Sequence, residues 1–209
     1  MHGWSFKKKG GPKPARFVTT HRPDVSLKVT GSLGEATMTE TVYAPILDQL
    51  ADHKAKTIGQ IEQGVKNTGL AFVQIVQAVM VLTGGGHLAA VQEEAIVAKV
   101  KKQTDRLNAY LRQKARGSSD IGYLSSPVSG GGFPVNRFQQ LFLTSIGQGK
   151  KQPEELAQYA WQTIAAQGQK LVKEGRALET AEDNLAELNA QAQTFLEKQL
   201  PILKALQIM

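Results

Sequence analysis

Beyond Glu93 the apolar residues recur at helical spacing in runs too long for strands, and this periodicity confines the C-terminal part to a bundle of amphipathic helices. "EEAIVAKVKKQTDRLNAYLRQKARG" places Ile96, Val100, Leu107, Tyr110 and Leu111 on one face, and Gly117 can end it. "VNRFQQLFLTSIGQG" groups Phe138, Leu141, Phe142 and Ile146. "QPEELAQYAWQTIAAQGQKLVKEG" opens with Pro153 and two acids, a favourable helix start, and its spacing predicts one face from Leu156 through Ile164 to Leu171 and Val172. Thr180 with Asp183 begins a last helix through Leu185, Leu188, Phe195 and Leu196, and Pro201 breaks or bends it.

The part before Glu93 reads differently. Phe17 to Thr19 and Ser26 to Thr30 favour extended structure, punctuated by Gly31 and Gly34. A helix follows through Val42, Ile46, Leu47 and Leu50, with Pro45 expected to start or bend it. Thr57 and Gln60 form a capping-box pattern before Ile58, Ile61 and Val65. "TGLAFVQIVQAVMVL" is apolar nearly all round and predicts a buried helix. Three glycines then turn the chain into a strand from His87 to Val91. The expected fold is mainly α: a flexible basic tail (1–15), a small winged-helix-like α+β unit (16–92) and an all-α helical bundle (93–209). No internal repeat is evident.

Charge and composition narrow the function classes. The net charge is +7, but Lys7, Lys8, Lys9, Lys13, Arg16 and Arg22 precede the first acid, leaving 19 bases against 18 acids in the rest. The third helix of the winged-helix-like unit has no lysine or arginine, whereas DNA affinity rests on phosphate contacts. Nucleic acid is therefore not the expected partner, although a winged-helix nucleic-acid binder is the alternative reading. The chain has no cysteine, which removes disulfides, thiolate metal sites and a cysteine nucleophile and suits a cytoplasmic location. The start lacks a secretory h-region, and the longest apolar run is too short to span a bilayer. The four histidines have no short ligand spacing, so no metal site is expected.

The stretch "SSPVSGGGFPVNRF" is the candidate substrate or interface loop, through Ser126, Pro127, Gly130, Gly131, Gly132, Pro134 and Arg137. It is not a phosphate cradle, because no lysine follows the glycines and Pro134 removes an N–H donor. Its serines lack the G-x-S-x-G context of an activated nucleophile, which leaves a hydrolase or transferase acting through this loop as the weakest reading. The glycines suit a sharp corner, with Pro134 in the first turn of the next helix. "LTGGGHLAA" has the wrong order of elements for a dinucleotide fingerprint and reads as a wing turn.

The block "YLSSPVSGGGFPVNRFQQLFL", followed by "WQTIAAQGQKLVKEGRALETAEDNLAEL", resembles the C-terminal region of bacterial S-adenosylmethionine-dependent methyltransferases that carry a methyltransferase regulatory domain, the rickettsial protein-lysine methyltransferases among them. Tyr123, Leu124, Ser126, Pro127, Val128, Gly130 to Gly132, Pro134, Val135 and Gln140 to Leu143 match that family's pattern "YLASPVxGGGxPVxxxxQLFL". "APILDQLADHKAKTIGQIEQ" is similar to its "LLPLLDGxRxxxxL", with Asp48-Gln49 where Asp-Gly is usual, and the likeness runs from about Ala15 to Met209. The family's catalytic domain is an N-terminal Rossmann fold with an acidic, glycine-rich cofactor motif, which this sequence lacks. The resemblance thus implies a noncatalytic regulatory, substrate-binding or assembly module without a self-sufficient active site. S-adenosylmethionine would sit on a partner or missing catalytic domain, and no catalytic, cofactor-binding or metal-binding residue carries over. The implied partners are a methyltransferase catalytic domain or a protein substrate, with a homodimer kept open and no membrane expected.

Overall fold

The computed structural model describes residues 16–19, 28–31 and 34–209, so the basic tail (1–15) lies outside the described residues. The fold is mainly α with a small α+β unit. That unit contains β1 (Arg16–Thr19), the hairpin β2 (Lys28–Gly31) and β3 (Gly34–Thr37), and α1 (Glu40–Leu50). It continues with β4 (Lys56–Thr57), α2 (Ile58–Gly64), α3 (Phe72–Gly84) and β5 (Leu88–Val91). β1 lies between β4 and β5 and pairs antiparallel with both, so a strand from the start of the chain completes the sheet formed around the helices.

Local chemistry explains these boundaries. Thr57 Oγ1 accepts from Gln60 N–H at 3.1 Å while Gln60 Oε1 accepts from Thr57 N–H at 2.8 Å, closing the capping box expected at α2. Pro45 sits inside α1, five residues after its start, so it does not begin that helix. α3 departs from the expectation of burial all round. Ile75, Ala78, Val79 and Leu82 join a core with Ile46, Leu50 and Ile61, while Phe72, Val73, Met80 and Val81 are exposed. The small unit has too few packing elements to cover both sides of an apolar helix.

The helical part comprises α4 (Glu94–Lys114), the hairpin β6 (Tyr123–Ser126) and β7 (Gly131–Pro134), α5 (Arg137–Gly147) and α6 (Pro153–Ala165). A short hairpin, β8 (Val172–Lys173) and β9 (Arg176–Ala177), precedes α7 (Ala181–Thr194), a π-helical turn (Phe195–Gln199) and α8 (Leu200–Ala205). A second core joins these elements through Leu141, Phe142, Leu156, Ile164, Leu188 and Phe195, and the Phe142 and Phe195 rings meet at 5.6 Å. α6 stops at Ala165, before the end predicted for it, because Gly168 turns the chain at φ 67° and Gly175 turns it again at φ 79°. Leu171 is buried beyond the helix rather than on its face, and Val172 is exposed in β8. At Pro201 the helix widens instead of breaking: the Leu200 N–H donates to Phe195 O, five residues back. A π turn relieves the clash that a proline ring makes with the preceding turn.

Candidate functional site

The glycine stretch is a β-hairpin, not a corner leading straight into a helix. Ser125 pairs with Gly132 and Tyr123 with Pro134, so Pro134 ends β7 instead of starting α5. Asn136 caps α5 in its place, accepting from Gln139 N–H at 3.0 Å. The four residues between the strands form the turn, and Gly130 N–H donates to Ser126 O at 3.0 Å.

Three anchors fix this hairpin to the bundle. Asn108, fully buried on α4, accepts from Ser125 N–H at 2.7 Å and donates to Ser125 O at 2.8 Å and to Ile208 O at 3.2 Å. One amide therefore satisfies the outer edge of β6 and ties it to the last turn of the chain. Ser126 is buried; its hydroxyl donates to Leu206 O at 2.8 Å and accepts from Ser129 N–H at 3.1 Å. Gln140, also buried, donates to Ile121 O at 2.7 Å and Val135 O at 2.8 Å. Ser126 is thus a structural hydroxyl, committed to backbone groups of the turn and of the last helix.

The remaining candidate residues divide sharply. Arg137 donates to Ala115 O at 2.8 Å, Arg116 O at 3.0 Å, Gln169 Oε1 at 2.7 Å and Gln167 Oε1 at 3.1 Å. It closes the C-terminal end of α4 and holds the turn after α6, and four of its five N–H groups are engaged in doing so. Gly130 has φ 75°, the left-handed region that favours glycine, and a Cβ there would stand 2.9 Å from Gln92 Nε2 and push that side chain aside. Gly131 and Gly132 need neither allowance. Nothing lies within 4 Å of a Cβ at Gly131, and a Cβ at Gly132 would meet only the Tyr123 side chain at 3.7 Å. Both are exposed, as are Pro134 and Tyr123, while Leu124 is buried beneath. The hairpin turns a flat face of glycine, proline and tyrosine outward.

That face borders α4, where sequence periodicity misjudged direction. The helix meets the bundle through buried Val97 and Asn108, whereas Ile96, Leu107 and Tyr110 of its predicted core face are 45%, 47% and 54% exposed. Pro127, Gly130 and Ser125 together with Ile96, Val100 and Thr104 line a groove of about 340 Å³ between helix and hairpin. Burial lowers the Arg112 pKa on the inner side of α4, partly countered by Asp105.

A second groove, about 610 Å³, lies between α5 and α7 and includes Gln139, Gln199, Lys173 and Glu187. Its polar groups satisfy one another. Gln139 Nε2 donates to Gln199 Oε1 at 2.7 Å, and Glu187 accepts from Gln191 at 2.9 Å and from Lys173 at 2.7 Å. The Gln191 amide and the Lys173 ammonium hold the Glu187 carboxyl below its ordinary range, and Glu187 in turn raises the Lys173 pKa. Among the described residues no group of three or more His, Asp or Glu side chains is placed to hold a metal ion, and no helix is long and apolar enough to cross a membrane.

The chain is 33% identical over 184 residues to an uncharacterized protein of Synechocystis sp., a match that covers 88% of this chain and 35% of that protein. It therefore spans about a third of the length of this relative. No family model matches the chain, and no solved structure matches it significantly.

Proposed function

We propose that the chain is a noncatalytic assembly and substrate-binding module of a S-adenosylmethionine-dependent protein-lysine methyltransferase, acting beside a separate catalytic domain that holds the cofactor. One observation carries this reading: the outer face of the β6–β7 hairpin, formed by Tyr123, Pro134 and the sterically undemanding Gly132, adjoins the exposed stripe of α4. Such a face can receive another backbone closely, while its polar side chains are committed to holding the fold. The family-like block from Tyr123 to Leu143 is the segment that builds this face, and the match to about a third of a longer relative suits a module within a larger assembly.

Titration of the chain with S-adenosylmethionine, followed by mixing with a Rossmann-type methyltransferase domain from the same genome, tests the reading. The isolated chain should not bind the cofactor in the micromolar range, and its addition should raise transfer to a protein substrate. Micromolar cofactor affinity of the chain alone overturns the proposal. In the alternative nucleic-acid reading, α3 would enter the groove of a duplex, yet it carries no lysine or arginine and offers Val73 and Met80 to solvent. Salt-sensitive duplex binding that survives removal of residues 1–22 would favour that alternative.

A further inference from the structure

The outer side of α4 follows a heptad rule. Ile96, Val100, Gln103, Leu107, Tyr110 and Lys114 are spaced alternately four and three residues apart, the a/d pattern of a coiled-coil seam. On one flank Val97 and Leu111 turn toward the chain's own core, and Thr104 lines the groove beside the hairpin. On the other flank, at the g positions, stand Lys99 and Arg106, with Lys102 behind them, all three exposed and without an ion pair among the described residues. Lys114 lies over the Tyr110 ring at 5.3 Å, which adds positive charge at the end of the seam. Positions 94 to 116 hold seven lysines and arginines against two acids, and one of those acids, Asp105, is paired with Lys101.

We infer that the seam of α4, with the β6–β7 hairpin as its second wall, docks an acidic amphipathic helix of another polypeptide. Apolar side chains at the partner's own a and d positions would pack against Ile96, Val100, Leu107 and Tyr110, and its carboxylates would meet Lys99 and Arg106. Charge selects this occupant over a second copy of the chain. In an antiparallel self-pairing the g positions face each other, setting Lys99 and Arg106 against the same cations; in a parallel one they face Val97, Thr104 and Leu111, which carry no charge. Exposure decides that the seam is open: Ile96, Leu107 and Tyr110 are all exposed, and Tyr123 on the neighbouring hairpin is 60% exposed. This inference deepens the proposed function by naming the partner's chemistry. It rests on the α4–hairpin face being a contact surface, not on the partner being a methyltransferase.

The test uses the full chain and two labelled, stapled helical peptides with leucine at a and d, one with glutamate at e and g and the other with lysine there. Fluorescence anisotropy should show the acidic peptide binding at least about tenfold more tightly than the basic one, with the preference falling as salt rises. Leu107→Glu should abolish binding while circular dichroism stays unchanged, and Lys99→Glu with Arg106→Glu should transfer the preference to the basic peptide. Equal affinity for the two peptides, or binding of neither, overturns the inference. So does dimerisation of the chain that Leu107→Glu abolishes, which assigns the seam to a second copy. Binding to phosphatidylserine vesicles that the acidic peptide does not displace assigns it to a membrane surface and overturns it equally. Because no cofactor enters this assay, its failure leaves the S-adenosylmethionine titration as an independent test of the proposed function.

Discussion

α3 and α4 each bury one face and leave an apolar face open, but they are held by different means. α3 is fastened by aliphatic side chains, Ile75, Val79 and Leu82, in a core of similar residues. α4 is fastened by the buried Asn108 amide and by Arg137 at its end, together with Val97 and Leu111, while its most regular apolar stripe faces solvent. The open face of α3 carries no lysine or arginine, and that of α4 is edged by them. An apolar stripe marks a surface that excludes water against something; whether that something is the chain's own core depends on what else is available to fill the inner side.

The largest expected effects test that contrast directly. Leu82→Ala should lower stability by about 3 kcal/mol through lost burial and a residual cavity. Asn108→Ala should cost a similar amount, about 3 kcal/mol, because it strands the buried backbone groups of Ser125 and Ile208. Chemical denaturation of both variants checks this; a loss below about 1 kcal/mol for Asn108→Ala would mean that α4 is held by apolar contacts like α3.

Next in size is the difference between two glycines of the hairpin. Gly130→Ala should cost about 2 kcal/mol, since it forces a left-handed conformation and displaces Gln92. Gly132→Ala, on the outward face, should stay within about 0.5 kcal/mol, with any loss appearing in partner binding instead. Equal melting temperatures for the two variants would remove the distinction between a structural and a contact glycine.

Leu107→Glu should be smaller still, changing stability by no more than about 0.5 kcal/mol because the site is open to water. Thermal melts would show whether the outer stripe of α4 contributes to the fold after all. The smallest effect concerns Glu187, whose carboxyl is lowered by Gln191 and Lys173. A group with a depressed folded pKa stabilises above its ordinary pKa and loses that contribution as pH falls through the folded value. The stability gap between the native chain and Glu187→Gln should therefore narrow on acidification, as denaturation at successive pH values would record.

Much of the local structure could be read residue by residue. Thr57 with Gln60, Pro153 with its two acids, and Thr180 with Asp183 marked helix starts, because caps act through groups within three residues of one another. The heptad on α4 was also present in the spacing, but the spacing did not say which way the stripe faced. The hairpin was less legible, since three consecutive glycines permit a corner and a strand equally well.

The sequence by itself determined the element types, the caps and the mainly helical class, all of which follow from interactions between near neighbours. Only the tertiary structure decided that Asn108 reaches Ser125 and Ile208, that Arg137 is consumed in closing α4, and that the apolar stripe of α4 faces outward. Those outcomes depend on which surfaces meet across the chain, and periodicity fixes the faces of a helix without fixing what stands opposite them.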